Sequence, residues 1–182
     1  TTSGGLEPTH LAPFTSTARE YRLAPGAQEL RVPLTWTDGQ GLTVTKTYVF
    51  KPGRYDVEVV YDVNNASPSN WEAASYVQLA RHVYAQDRSM FDVESYAYRG
   101  PAVYDGEKYR KLDVTDEEDA KFAEAFAGGW MAEMQHHFVT AAVPPVAETF
   151  DYTMGLEDTH SVLGFRGPLK PVPVGATGQV SV

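Results

Sequence analysis

The side chains best suited to chemistry in this sequence are its histidines and its closely spaced acidic residues. His136 and His137 are adjacent, and neighbouring residues in a helix or a strand point in different directions, so the two imidazoles cannot hold one ion together. A zinc site would need a second pair of ligands at suitable spacing, and the H-E-x-x-H pattern does not occur. We therefore predict no metal site and assign both histidines to structure or to the surface.

The acidic residues offer paired carboxylates, as a glycosidase requires, but their position has a simpler explanation. Residues 116–119 read Asp-Glu-Glu-Asp at the predicted start of a helix, where negative charge complements the helix dipole. The motifs of serine hydrolases, dinucleotide-binding proteins and P-loop enzymes are missing, and there is no cysteine. The sequence therefore predicts a protein that is not an enzyme, with no catalytic residue and no cofactor.

A polar stretch rich in aromatic residues, residues 84–109, is the best candidate for a contact surface. Protein interfaces favour tyrosine because its large ring carries a polar tip at a low cost in conformational entropy. The structural alternative, in which the same rings pack along the rim of a sandwich, is the simpler one, because a sequence does not show which rings are exposed. The candidate residues of the partner surface are Tyr84, Phe91, Tyr96, Tyr98, Tyr104 and Tyr109.

Length and charge limit the possible functions. A chain of 182 residues with 42% hydrophobic residues can bury the core of one domain, to which we assign residues 1–182. The net charge of −9 argues against binding to nucleic acid or to anionic lipid, because both need a basic face. No apolar run approaches the roughly 20 residues of a membrane-spanning helix, and the first residues lack the pattern of a signal peptide.

Residues 29–65 organise the predicted fold. Three runs of strand length, ELRVPLTWT, LTVTKTYVF and YDVEVVYDVNN, alternate between the two faces of a strand, and short turns with glycine connect them. Turns this short force neighbouring strands to run antiparallel, so the pattern predicts a meander with one buried and one solvated face. Pro33 cannot donate a hydrogen bond within a sheet, which places the first strand at an edge or at a bulge.

Two later segments show apolar residues at intervals of four. In residues 116–127, Phe122 and Phe126 share this spacing, Thr115 and Glu118 are spaced as a capping box, and Gly128 is suited to end the segment, so we predict a helix. In residues 130–143 the same interval also favours a helix. That segment ends at two prolines and is acceptable as a strand too.

Whole segments of the sequence resemble a known family. LTWTDGQGLTVTKTYVFKPGRYDVEVVYDVNNAS resembles the central strands of the large periplasmic domain of YidC, the bacterial membrane protein insertase, and GGWMAEMQHHFVTAAVPP resembles that domain's Gly-Gly-Trp block. Further segments fit in order, namely SYVQLAR, YRGPAVYDGEKYRKLDV and GFRGPLKPVPVGATGQV. The resemblance extends over nearly the whole chain from Tyr21 onward.

The resemblance implies an all-β, mainly antiparallel β-supersandwich similar to galactose mutarotase, with one or two short helices, and it changes the expectation for residues 130–143 to strand. It also implies a non-catalytic domain at the periplasmic face of the bacterial inner membrane. The full protein would be a multi-pass insertase and chaperone that assists the insertion and folding of inner-membrane proteins. The implied partners are the Sec translocon with its accessory subunits and nascent membrane-protein segments.

Compared with the family, we expect the chain to lack the first strands and the closing helical segment of the domain. Unpaired N–H and C=O groups at an open strand edge favour pairing, so we also expect the isolated chain to self-associate. The alternative function is a carbohydrate-binding or mutarotase-like protein of the same sandwich class. It would need His136 or His137 as the acid with Glu133 or Glu148 as the base. Sugar binding would also use exposed aromatic residues such as Trp71 or Trp130.

Overall fold

Fourteen β-strands and one turn of 3₁₀ helix make up the part of the chain that the computed structural model describes, residues 7–83 and 98–181. The strands are β1 (Leu30–Thr37), β2 (Leu42–Phe50), β3 (Val57–Asn65), β4 (Trp71–Ala73), β5 (Tyr76–His82), β6 (Gly100–Tyr104), β7 (Tyr109–Lys111), β8 (Ala123–Ala127), β9 (Trp130–Met134), β10 (Val139–Ala142), β11 (Thr149–Glu157), β12 (His160–Arg166), β13 (Lys170–Val172) and β14 (Thr177–Ser181). All their pairings are antiparallel, which confirms the predicted all-β class. The likeness to galactose mutarotase stays a prediction.

The chain divides into two compact units, and each has its own sheets. The first comprises Thr1–Ala74 with Leu169–Val182, and the second comprises Ser75–Pro168. The assignment of residues 1–182 to a single domain stays a prediction.

The first unit is built around the predicted meander, which the structure confirms. Its four-stranded sheet has the order β1-β2-β3-β14, and β13 pairs with β4 in a two-stranded sheet. β1 is an edge strand, as Pro33 predicts. The turn before β2 requires Gly41, which has φ 108° and where a Cβ would lie 2.6 Å from the carbonyl oxygen of Ala66.

Burial along the meander differs from the prediction of one buried and one solvated face. In β2, Leu42 and Val44 are buried on one side of the strand, whereas Thr47 and Val49 are buried on the other. Both faces of the sheet are therefore covered over part of their length. The prediction was wrong in this respect because alternation shows which residues share a face, and does not show which part of each face is covered.

The core of the first unit combines apolar packing with one buried amide. The apolar cluster consists of Trp36, Leu42, Val44, Val63, Ala73, Val172 and Val180. Asn65, at the end of β3, is fully buried, and its Nδ2 donates to the carbonyl oxygens of Val172 (2.8 Å) and Ser69 (3.0 Å). Its Oδ1 accepts from the backbone N–H (3.1 Å) and the hydroxyl (2.6 Å) of Ser67. The amide therefore ties β3 to β13 with its hydrogen-bonding groups occupied.

Two four-stranded sheets form the second unit, with the strand orders β5-β12-β11-β8 and β10-β9-β6-β7. Arg110 in β7 makes a two-pronged contact with Glu124 in β8, at 2.8 and 2.7 Å. Arg81 in β5 lies 3.6 Å from Glu133 in β9. Each ion pair thus joins one sheet to the other, in the arrangement of a β-sandwich.

The helix predicted for residues 116–127 is wrong. Within this segment, Asp119–Lys121 forms one turn of 3₁₀ helix without a side-chain cap, and the residues after it form β8. β8 pairs with β11, and the Phe126 ring stacks on Tyr152 with 4.0 Å between the ring centroids. Residues four apart share a face in a strand as well as in a helix, so the spacing of Phe122 and Phe126 fits both. Pairing with β11 decides between them.

Residues 130–143 form strands, as the family resemblance implies. β9 and β10 are joined by a tight turn, in which the backbone N–H of Gln135 donates to the carbonyl oxygen of Phe138 (2.7 Å). Gly129 lets β9 begin directly beside β6, because a Cβ at this position would lie 2.3 Å from the carbonyl oxygen of Tyr104. The Gly-Gly-Trp block therefore marks a close approach of two strands.

Candidate partner surface

Three of the six predicted partner-surface residues lie in the described part of the chain, and they gather around the β6–β7 hairpin. Tyr104 and Tyr109 are direct cross-strand neighbours in this hairpin, and Tyr98 precedes it. The other three, Tyr84, Phe91 and Tyr96, lie outside the described residues.

The turn of the β6–β7 hairpin explains why two tyrosines face each other. Asp105 Oδ1 accepts hydrogen bonds from the backbone N–H groups of Glu107 (2.9 Å) and Lys108 (2.7 Å). These hydrogen bonds hold the pKa of the Asp105 carboxyl below its usual range. Gly106 adopts φ 98°, a backbone conformation that glycine enters at no steric cost. The turn fixes the register in which Tyr104 pairs with Tyr109.

Trp130 of β9 completes a group of three aromatic rings, which we call the aromatic ladder (Tyr104, Tyr109 and Trp130). Tyr104 pairs with Trp130 across β6 and β9, and their rings stack with centroids 5.9 Å apart. The Tyr109 ring tilts against Trp130 at a centroid distance of 5.9 Å. Aromatic pairs of this kind contribute about 0.5–1.5 kcal/mol beyond the burial of their area. The ladder is therefore a preformed patch on one face of the sheet.

The aromatic ladder is partly open to solvent. Tyr109 is 45% exposed, and Tyr104 and Trp130 are half-buried. The Tyr104 hydroxyl donates to the carbonyl oxygen of Gly106 (2.7 Å), and the Tyr109 hydroxyl donates to the sulfur of Met134 (2.9 Å). Because these polar tips already have partners, the ladder offers ring faces and edges, which suit apolar or planar groups.

Tyr98 orders the backbone beside the ladder. It is half-buried, and its hydroxyl lies within hydrogen-bonding distance of the carbonyl oxygens of Leu112 (2.9 Å) and Pro101. The Lys111 ammonium lies 4.9 Å from the ring centroid. Burial raises the pKa of the Tyr98 hydroxyl well above its usual range, so the hydroxyl keeps its proton and remains a donor. Tyr98 thus fastens the start of β6 to the end of the hairpin.

Trp130 is the ladder residue that sequence reasoning assigned only to the carbohydrate alternative. The signal that identifies it lies in the two glycines before it. Gly128 has φ 71°, and Gly129 has no room for a Cβ beside Tyr104. Together they predict that β9 starts with Trp130 against a neighbouring strand.

Glu133, which the carbohydrate alternative needs as a base, is buried on the face of β9 opposite to Trp130. The residue is 8% exposed, and neither carboxylate oxygen has a hydrogen bond of normal geometry among the described residues. Arg81 Nη1 lies 3.6 Å from Oε2 and also donates to the carbonyl oxygen of Met134 (2.9 Å). Burial raises the pKa of Glu133 to about 7, against the lowering effects of Arg81 and Ser161. This environment is that of a buried ion pair between two sheets.

The adjacent histidines lie in a different environment. His136 and His137 occupy the turn between β9 and β10, where both are exposed and their rings make an edge contact at 4.0 Å. Across residues 7–83 and 98–181, no group of three or more His, Cys, Asp or Glu side chains is placed to hold a metal ion. In the same ranges, no helix has the length and apolar character needed to cross a membrane.

Comparison with known proteins gives one consistent family. The sequence profile described as "YidC periplasmic domain" matches residues 1–182. Relatives named "Membrane protein insertase YidC" include that of Methylococcus capsulatus, which is 38% identical over 93% of this chain and 31% of the relative. Those of Shewanella halifaxensis (35% identical; 91% of this chain, 30% of the relative) and Thioalkalivibrio sulfidiphilus (40%; 77% and 24%) are similar too. The chain spans less than a third of the length of these relatives.

Proposed function

Because the chain belongs to the family of YidC periplasmic domains, we propose that it is the periplasmic domain of a membrane protein insertase and chaperone. The observation that carries this proposal is the profile match over residues 1–182, supported by relatives that are named as insertases. The domain would lie at the periplasmic face of the bacterial inner membrane, as one part of a multi-pass protein. It would assist the insertion and folding of inner-membrane proteins.

In this proposal the domain binds partner proteins and carries out no covalent chemistry. The proposed partners are the Sec translocon, its accessory subunits and nascent membrane-protein segments. The aromatic ladder supports a contact role, because its rings are partly exposed and already packed against one another, and side chains ordered before binding lose less conformational freedom in a complex. We extend the predicted partner surface, which includes Tyr98, Tyr104 and Tyr109, by adding Trp130.

The proposal is tested by an antibody against this chain, applied to fractionated cells of the source organism. We expect a band much heavier than 20.1 kDa that remains in the inner membrane after alkaline extraction. A band near 20.1 kDa in the soluble fraction would contradict the proposal. A known inner-membrane protein and a known periplasmic protein serve as fractionation controls.

The second candidate function is carbohydrate binding, and the aromatic ladder is the observation that favours it. Sugar rings present apolar faces that can pack on half-exposed aromatic side chains such as Trp130. A mutarotase-like activity would in addition place a histidine acid beside a carboxylate base. Acceleration of sugar anomerisation, or retention of the chain on immobilised glycans, would support this function. Loss of that activity or retention in Trp130→Ala, with Trp71→Ala as the control, would locate the site at the ladder.

Self-association of the isolated chain through an open strand edge stays a proposal as well. It predicts a molar mass above that of the monomer in light scattering at high protein concentration. A monomer at every concentration would contradict it.

A further inference from the structure

The four edge strands of the second unit differ in their protection against pairing. β5 carries Arg81, β7 carries Lys111 and β8 carries Glu124, whereas β10 (Val139–Ala142) contains neither a charged residue nor a proline. Charged side chains and prolines on edge strands normally prevent pairing with other chains, because an edge presents unpaired backbone groups. Among the described edges of this unit, β10 is the unprotected one.

The turn before β10 determines which of its backbone groups face outward. Gln135 donates its N–H to the carbonyl oxygen of Phe138, so these two residues form a hydrogen-bonded pair at the start of the hairpin. Hydrogen-bonded and non-hydrogen-bonded pairs alternate along antiparallel strands, and the register with β9 places Val139 and Ala141 at non-hydrogen-bonded positions. Their N–H and C=O groups therefore point away from β9, to a side where no described strand pairs with them.

Exposed apolar side chains surround the β10 edge, and the stretch of sequence around it includes no Asp, Glu, Lys or Arg. Phe138 is 75% exposed, Val139 62%, Val143 56% and Val146 69%. Residues 134–147 contain no Asp, Glu, Lys or Arg, although the chain as a whole has a net charge of −9. An open backbone edge thus coincides with an uncharged, apolar surface.

We propose that the β10 edge binds an extended, uncharged and apolar segment of another polypeptide, which adds to the sheet as a further strand. Hydrogen bonds to Val139 and Ala141 would supply affinity, and Phe138 would contact alternate side chains of the added segment. The inference rests on the proposed function, because an insertase handles polypeptides that contain such segments.

Two observations favour this occupant over a second copy of the chain. The uncharged, apolar surface around β10 complements an apolar segment, whereas a second copy would bring a further net charge of −9, and a high net charge of one sign opposes association of like copies. Val139 also lies on the same face of the sheet as Trp130, since it pairs with Met134, which lies four residues beyond Trp130 in β9. A strand added at β10 would therefore extend the face that carries the aromatic ladder.

The test measures binding of a labelled, capped seven-residue peptide of alternating valine and threonine to the 182-residue chain by fluorescence anisotropy. Ala141→Pro removes one outward N–H without removing a hydrogen bond to β9, and Ala141→Lys introduces the missing charge. Ala125→Lys, on the exposed edge strand β8, is the matched control. The same peptide with an N-methyl group at every residue, which removes the donors from both of its edges, tests the need for backbone donors.

We expect saturable binding to the wild type and to Ala125→Lys, affinity at least about tenfold lower for both Ala141 variants, and no binding of the methylated peptide. Circular dichroism that matches the wild type shows that each variant is folded. Equal affinity of wild type and variants, or binding of the methylated peptide, overturns strand addition. A wild-type dimer that Ala141→Lys dissociates, without peptide binding, assigns the edge to a second copy and overturns the choice of occupant. None of these outcomes affects the fractionation test, so the failure of this inference and that of the proposed function are distinguishable.

Discussion

Two buried polar side chains, one in each unit, are held in contrasting ways. Asn65 is fully buried in the first unit, and its amide donates two hydrogen bonds and accepts two. Glu133 is almost as buried in the second unit, yet its carboxylate depends on Arg81 at 3.6 Å and has no hydrogen bond of normal geometry in the described residues. One site satisfies a neutral group completely, and the other leaves a charged group incompletely compensated.

The contrast shows what each kind of burial contributes. A neutral amide with all its partners adds specificity at every pH, because none of its groups titrates in the physiological range. When the desolvation penalty of a buried carboxylate exceeds the stabilisation by its partners, its pKa is raised. Its contribution to the free energy of unfolding then depends on pH. We therefore expect the stability contributed by Asn65 to be independent of pH and to be lost when the amide is removed. The stability contributed by Glu133 should change with the protonation of its carboxyl group.

The largest effect is expected for Asn65→Ala. This substitution leaves the buried carbonyl oxygen of Val172 without its amide donor, at a cost of roughly 1–3 kcal/mol, and it opens a cavity in the core. The carbonyl oxygen of Ser69 keeps a donor in the Ser67 hydroxyl (3.1 Å). We expect the free energy of unfolding to fall by about 4 kcal/mol in urea denaturation. The exposed neighbour Asn64→Ala is the control, and equal effects of the two substitutions would contradict the role of the Asn65 hydrogen bonds.

The second effect concerns pH. The folded-state pKa of Glu133, about 7, lies above its usual value of 4.5, so the folded state binds this proton more tightly than the unfolded state. The resulting stabilisation is fully present below pH 4.5 and is lost as the pH rises through 7. Over this window we expect a loss of roughly 3 kcal/mol, at about 1.4 kcal/mol for each unit of pKa difference.

Glu133→Gln isolates this contribution, because glutamine keeps the shape of the side chain without the titration. The difference in unfolding free energy between wild type and Glu133→Gln, measured from pH 4.5 to 8, should change along this window. A difference that stays constant across the range would contradict the raised pKa.

A smaller effect on stability is expected for Lys46 of the first unit, whose charge interacts with aromatic rings. Its ammonium lies 5.1 Å from the centroid of the Tyr48 ring, 5.6 Å from that of Tyr61 and 5.9 Å from that of Phe14. We expect Lys46→Met to reduce the free energy of unfolding by about 1 kcal/mol, as for a partly desolvated cation over aromatic rings. Lys51→Met, which removes an exposed ion pair with Glu58, should have an effect near zero. Equal effects would show that the rings contribute little.

The sequence predicted the meander well and the later strands less well, for a physical reason. Residues 29–65 combine strict alternation with glycine turns, and both signals act locally. Intervals of four, as between Phe122 and Phe126, place residues on one face of a helix and equally on one face of a strand. In such segments the choice between helix and strand depends on pairing with a strand that is distant in sequence. The partner is β11 for β8 and β6 for β9, and the local sequence contains neither.

The sequence predicted two of the three rings of the aromatic ladder, and its role as a partner surface stays a proposal. Tyr104 and Tyr109 were recognisable as aromatic residues in a polar stretch, and the structure brings them together with Trp130. The hairpin partner of Tyr104 follows from the turn at Asp105, whereas its other neighbour comes from a strand more than twenty residues later. The open edge of β10 could not be inferred from its own residues, because protection is a property of position in the sheet.

The most direct test of the proposed partner surface is site-specific photo-cross-linking. A photoreactive phenylalanine analogue would replace Tyr109 in a full-length insertase that carries this chain as its periplasmic domain. The fully exposed Tyr55 of the first unit, replaced in the same way, is the control for accessibility alone. We predict adducts with translocon subunits or nascent membrane proteins from position 109 and none from position 55. Equal adducts from both positions, or none from position 109, would contradict the assignment of the aromatic ladder as the contact surface.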